Sequence, residues 1–187
     1  MRKLVLITLV LSALQIYAQE TLSPYFKVAE VDASIADASA QVKEAITTSG
    51  FEMIGAYHPS QNEDLFVVCF TSDELKNLSL QFNDRGALAS VMKAGFVKKD
   101  GKVTITLLNP EYMFLAYWGE QLNGQEKMLV AMSDKVKNIF KKFGTLENYG
   151  GEEKAEDLPH YHYMMMMPYF DDPDELATFD TFEEGWK

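Results

Sequence analysis

Asp100-Gly101-Lys102-Val103-Thr104-Ile105-Thr106-Leu107-Leu108-Asn109-Pro110-Glu111-Tyr112-Met113 is the stretch that decides the fold. Asp100-Gly101 is a strong hairpin signal, because a tight turn between paired strands needs backbone conformations that glycine supplies freely. After it, Val103, Ile105 and Leu107 alternate with Thr104, Thr106 and Leu108. One face is apolar throughout and the other mostly polar, as in a half-buried antiparallel strand. The strand then runs straight into a helix start. Asn109 caps it, Pro110 takes the first helical position, and Glu111 sits at the positive end of the dipole.

The same grammar extends outward. Residues 88–98 supply the partner strand of the hairpin. Farther upstream, 24–31 alternates through Tyr25, Phe26, Val28 and Val31 as a first strand. Ser34-Ile35-Ala36-Asp37 offers an N-cap, and Ile35, Ala38, Val42 and Ala45/Ile46 make one apolar helical face that Gly50 stops. Two further strands are expected over 51–58 and 64–70, joined by the polar turn 59–63. Thr71-Ser72-Asp73-Glu74 reads as a capping box with Thr71 and Glu74 as the reciprocal pair, and Leu75, Leu78 and Phe82 face the core behind it. Downstream, Gly119 ends the helix begun at Asn109. The longest helix spans 126–143 on Leu129, Met132, Val136, Ile139/Phe140 and Phe143, and Gly144 closes it. The fold class is therefore α+β: a two-layer sandwich with a mainly antiparallel sheet and helices on one face. No glycine-rich loop of the dinucleotide or P-loop kind occurs.

Three regions follow. Residues 1–18 carry a positive start (Arg2, Lys3), an apolar run over 4–14 and a small residue at Ala18, which is the order of a secretory signal peptide. The apolar run is shorter than the roughly 20 residues of a membrane span, and no second long run occurs, so export without a membrane span is expected, to the periplasm or beyond. Residues 19–146 form the α+β domain. Residues 147–187 form an acidic extension, with a linker over 146–157 and one strand over 159–168. From Glu147 onward there are twelve acids against Lys154 and Lys187, a net of -10 of the chain's -11, so the preceding body is close to neutral. Nucleic acid is excluded as a partner, because that work needs a basic surface. With a single cysteine there is no intramolecular disulfide, and Cys69, inside the run Leu65-Phe66-Val67-Val68-Cys69-Phe70, reads as a small buried hydrophobe.

Chemistry concentrates at Pro159-His160-Tyr161-His162-Tyr163-Met164-Met165-Met166-Met167-Pro168, with two of the three histidines and four of the ten methionines. On a strand, His160, His162, Met164 and Met166 share a face. Two imidazoles and two thioethers suit copper, whereas a buried strand with methionines filling an irregular core uses the same residues without metal. Haem is a further reading, with His58, His160 or His162 as axial ligand. A Cys-His site needs His58 to fold back beside Cys69. Asp171-Asp172-Pro173-Asp174-Glu175 lacks the spacing of a calcium loop and reads as a turn and helix start. Tyr112, Phe114, Tyr117 and Trp118 crowd one helix and cannot all face one core, which points to a homodimer contact.

Three stretches resemble an exported branch of the domain-of-unknown-function 302 family: Thr48-Ser49-Gly50-Phe51-Glu52-Met53-Ile54-Gly55, Phe70-Thr71-Ser72-Asp73-Glu74-Leu75-Lys76, and Asp100 through Met113, whose Asn-Pro-x-Tyr-Met helix start is the most specific. The resemblance covers 31–118 and implies a small α+β domain, dimeric in character, with no assigned catalytic residue. Similar exported proteins continue past this length, and Thr181-Phe182-Glu183-Glu184 reads as the capping box of a helix cut short, so a truncated C-terminus is expected. The functional expectation is a non-catalytic binding or interaction module of the cell envelope. A small ligand or a protein partner is left open, with copper or haem handling as the alternative and an enzyme of unknown class third.

Overall fold

The computed structural model describes residues 21–83, 85–122, 124–160, 166 and 177–186. The signal peptide expected over 1–18 lies outside them. The strands are β1 (Thr21–Leu22), β2 (Tyr25–Val31), β3 (Glu52–Tyr57), β4 (Leu65–Thr71), β5 (Met92–Lys99), β6 (Lys102–Leu108), β7 (Glu147–Tyr149) and β8 (Glu153–Lys154). The helices are α1 (Ile35–Thr48), α2 (Asp73–Ser79), α3 (Pro110–Trp118), α4 (Glu126–Phe140) and α5 (Phe182–Gly185).

Six strands form one antiparallel sheet in the order β3-β4-β5-β6-β2-β7, and β1 pairs with β8 in a separate ribbon. The organising hairpin is there: Lys99 faces Lys102 across Asp100 and Gly101, whose φ values of 52° and 82° are both left-handed. That pair of conformations matches the twist of the flanking strands. Register then fixes the faces. Phe26 lies opposite Leu107, Ile105 opposite Phe96, Ala94 opposite Val68 and Met92 opposite Phe70, and all are buried. α1 and α4 cover this face with Val42, Ile46, Val136 and Phe140, all inaccessible to solvent. Each such side chain contributes ~1.5–3 kcal/mol by leaving water, which is how a domain without a disulfide holds together.

The helix caps mostly follow the sequence. Ser34 Oγ accepts from the Asp37 amide at 3.1 Å, and Gly50, at φ 85°, ends α1. Gly144 serves as more than a stop, since a Cβ there would collide with the Val28 carbonyl oxygen of β2.

Four expectations need correction. The cap of α2 is Ser72, whose Oγ accepts from Leu75 N at 3.1 Å; Thr71 is the last residue of β4 and donates instead to the Ser90 carbonyl at 2.6 Å. The strand expected from 88 begins at Met92, because β4 turns into α2 after Thr71 and residues before Met92 have no neighbour to pair with. They form a 3-10 turn, Gly86–Ser90. The linker expected over 146–157 holds β7 and β8: Tyr149 pairs with Tyr25, and Glu153 with Leu22. Finally, where a strand was expected from 159, Leu158–His160 is a 3-10 turn. Leu158 is fully buried, and Pro159 packs against Gly119 at the end of α3. The turn is anchored there rather than to a strand edge.

Candidate functional site

A cavity of about 330 Å³ opens where β6 hands over to α3. Leu108 follows the buried Leu107, so it points to the outer face of the sheet, opposite Tyr25 of β2. Lys93 lies between buried Met92 and Ala94 and emerges on that same face. Leu88 and Val91 close the cavity from the 3-10 turn side. The helical wall is Tyr112, Met113, Ala116 and Tyr117, which recur one and four residues apart as a single stripe of α3.

The opposite stripe of α3 explains how four aromatics share one short helix. Phe114 and Trp118, four residues apart, both enter the core. Trp118 is stacked between Phe82 and Phe114, 4.3 Å from each ring centroid, and its indole N–H donates to the Gly86 carbonyl at 3.0 Å. The helix is fixed at its start as well. Asn109 is buried; its Oδ1 accepts from Glu111 N at 3.1 Å and its Nδ2 donates to the Ser23 carbonyl at 2.8 Å. Glu111 in turn receives Lys137 at 2.6 Å and Ser133 at 3.0 Å from α4. The pocket wall is thus carried by a helix held at both ends and along its back.

The lining has one charged side chain, the Lys93 ammonium, and no carboxylate. Tyr25, Tyr112 and Tyr117 add phenols, each able to donate and accept. The remaining wall is apolar. A cavity of this size is at the lower end of small-molecule sites, which are mostly apolar with a few oriented polar groups. Sequence reasoning singled out Tyr112 and Tyr117 but missed Lys93. The available signal was Leu108, the one apolar residue on the polar face of its strand.

The residues chosen from sequence are scattered. His160 is exposed in the 3-10 turn, and Met166 is in a turn at φ 73° with 96% of its surface accessible. His162 and Met164 lie outside the described residues, as does the acidic run 171–175. Among the described residues, no group of three or more His, Cys, Asp or Glu is placed to hold a metal. Cys69 is half-buried on the outer face, not in the core, because Val68 and Phe70 take the inward positions. Register sets Cys69 opposite Gly55 and Tyr57 opposite Val67, so His58 is three positions along, roughly 10 Å away at strand rise. Its Nδ1 donates to the Leu65 carbonyl at 2.7 Å. No Cys-His pair forms.

No known family profile matches the chain, and no similar curated protein was found. A solved structure is similar: the crystal structure of an uncharacterized conserved protein DUF302 from Bacillus stearothermophilus, with a TM-score of 0.51 at 9% identity, over 64% of this chain and 98% of that one. The likeness is one of fold, the fold that the Asn-Pro-x-Tyr-Met resemblance implied. No helix among the described residues is long and apolar enough to cross a membrane.

Proposed function

We propose that this protein is a non-catalytic binding module of the cell envelope, reached through a signal peptide over 1–18, and that it takes a small amphipathic ligand with an anionic head in the β6–α3 pocket. One observation carries the reading. In a chain of net charge -11, the pocket contains a lysine and no acid. A carboxylate would meet Lys93 and the tyrosine hydroxyls, and an apolar or flat body would lie against Leu88, Leu108 and Ala116.

Titration with octanoate, phenylacetate and neutral 1-octanol, followed by amide chemical shifts, tests this. Charge-assisted hydrogen bonds are about twice as strong as neutral ones, so both carboxylates bind more tightly than the alcohol. Lys93 is exposed, so Lys93→Met leaves the fold intact. It lowers carboxylate affinity by about tenfold or more, the size of one hydrogen bond to a charged group, and leaves 1-octanol unchanged. Carboxylates that bind no better than the alcohol, or a variant indistinguishable from the parent, refute the proposal.

A further inference from the structure

A second cavity, about 440 Å³, lies between α1 and the β3–β4 turn, away from the β6–α3 pocket. Its floor is Phe66 and its helical wall includes Ile35 and Ala40. Three ionisable side chains, Lys43, His58 and Glu63, line it. His58 packs against Phe66 with the rings tilted, 4.9 Å between centroids. Because its Nδ1 donates to the Leu65 carbonyl at 2.7 Å, the proton of the neutral ring is on Nδ1 and Nε2 keeps its lone pair. That Nε2 is 3.8 Å from the Glu63 carboxylate. On the other side, the half-buried Lys43 ammonium stands 4.9 Å from the Phe66 centroid. Among the described residues, Lys43 forms no ion pair, with Glu63 or with any other acid. The turn presenting His58 and Glu63 is held under strain, with Ser60 and Gln61 at φ 53° and 58°. Non-glycine residues adopt that region at a cost and are concentrated at functional sites.

Opposite charges in one groove ordinarily collapse onto each other. Here they are held apart across an aromatic floor, and the negative side carries a second acceptor. We infer that this groove is a site for a free α-amino acid with an apolar side chain. The ammonium donates to His58 Nε2 and Glu63 together, whose 3.8 Å separation suits a bridging donor. The carboxylate meets Lys43, and the side chain lies on Phe66 and Ile35. A simple anion would be repelled by Glu63 and a simple cation by Lys43, so the arrangement selects a zwitterion.

The test compares L-leucine, N-acetyl-leucine and leucinamide by amide chemical shifts on the full chain, reading residues 35–43 and 58–66. Leucine shifts these residues, while removing either charge weakens binding about tenfold or more, the size of one hydrogen bond to a charged group. Glu63 is 90% exposed, so Glu63→Gln folds normally; it weakens leucine, while N-acetyl-leucine, no longer repelled by that carboxylate, binds as well as before or better. N-acetyl-leucine binding as well as leucine would overturn the inference in favour of a plain anion site. Absence of shifts in these segments at millimolar leucine overturns it altogether.

Discussion

At the scale of single residues, Asn109 does the most with one side chain. It caps α3 through Oδ1 and ties that helix to the strand entry through Nδ2 on Ser23, and it does both while buried. Asn109→Ala removes the cap, typically ~1 kcal/mol, and leaves the buried Ser23 carbonyl without that donor, a further ~1–3 kcal/mol. The expected total is about 2–4 kcal/mol, read as a lower urea midpoint at unchanged m-value. Asn109→Ser keeps the cap and recovers about 1 kcal/mol of this. A loss under 0.5 kcal/mol, the range of ordinary surface substitutions, would show that neither bond matters. The consequence reaches function, since α3 carries Tyr112 and Tyr117 into the pocket.

At the scale of elements, α2 is tied to the sheet edge by charge. Lys76 contacts Glu52 of β3 and Asp73 of its own helix. The hydrogen bond and charge of Lys76 hold the Asp73 carboxyl below its ordinary value, and Glu52, then Asp73, raise the Lys76 ammonium above its own. Unfolded Asp73 therefore binds a proton that the folded group refuses, so its contribution is present at neutral pH and is lost as pH falls through the lowered folded value. The Lys76 contribution is complete below its ordinary value and disappears as pH rises through the raised one. Lys76→Met is expected to make stability less dependent on pH at both ends, most visibly in the acid limb, as measured by unfolding midpoints across the acid and alkaline ranges. An unchanged acid limb would rule out the Asp73–Lys76 pair, and an unchanged alkaline limb the tie of Lys76 to Glu52. These groups are surface-exposed, so the change is small and shrinks with added salt. The elements themselves were legible wherever local physics decides. The Asp100-Gly101 turn, the Asn109-Pro110 start and the apolar faces of α1 and α4 rest on spacing and caps. β7 and β8 were not legible, because three and two polar residues carry no periodicity and exist only through pairing with β2 and β1. The pocket failed for a related reason. Lys93, Leu108 and Tyr117 are brought together by register and by the exit angle of α3, which no local pattern encodes. The His-Met run drew attention by its residue types and an expected strand alternation, and its first residues, Pro159 and His160, belong to a turn anchored by the buried Leu158.

At the scale of the whole molecule, helices cover one face of the sheet and, among the described residues, the other is open. The homodimer argued from the aromatics of α3 loses that support, since Phe114 and Trp118 are core and Tyr112 and Tyr117 line the pocket. The open sheet face is a better basis. Tyr25, Tyr57, Val97 and Tyr149 are exposed there, at 44%, 49%, 39% and 52%. Six strands at ~4.8 Å spacing and about seven residues of ~3.3 Å rise give a flat area of roughly 550 Å², and a ridged surface exceeds its flat outline, approaching the ~800 Å² per partner of a stable complex. Charge permits the pairing of like with like. The body before Glu147 has 16 acids and 15 bases, and Lys27 faces Glu147 across β2 and β7 within the face itself. A second copy of the chain is thus the expected occupant, and it would roof the mouth of the β6–α3 pocket, where Tyr25 belongs to both surfaces. Sedimentation velocity at tens of micromolar is expected to show a dimer. Val97 is exposed on the single chain, so Val97→Glu leaves the secondary structure intact, but in a dimer it would bury a carboxylate within the joined faces, and so it shifts the protein to monomer. A parent chain that sediments as a monomer at that concentration removes the dimer and leaves the pocket open to solvent.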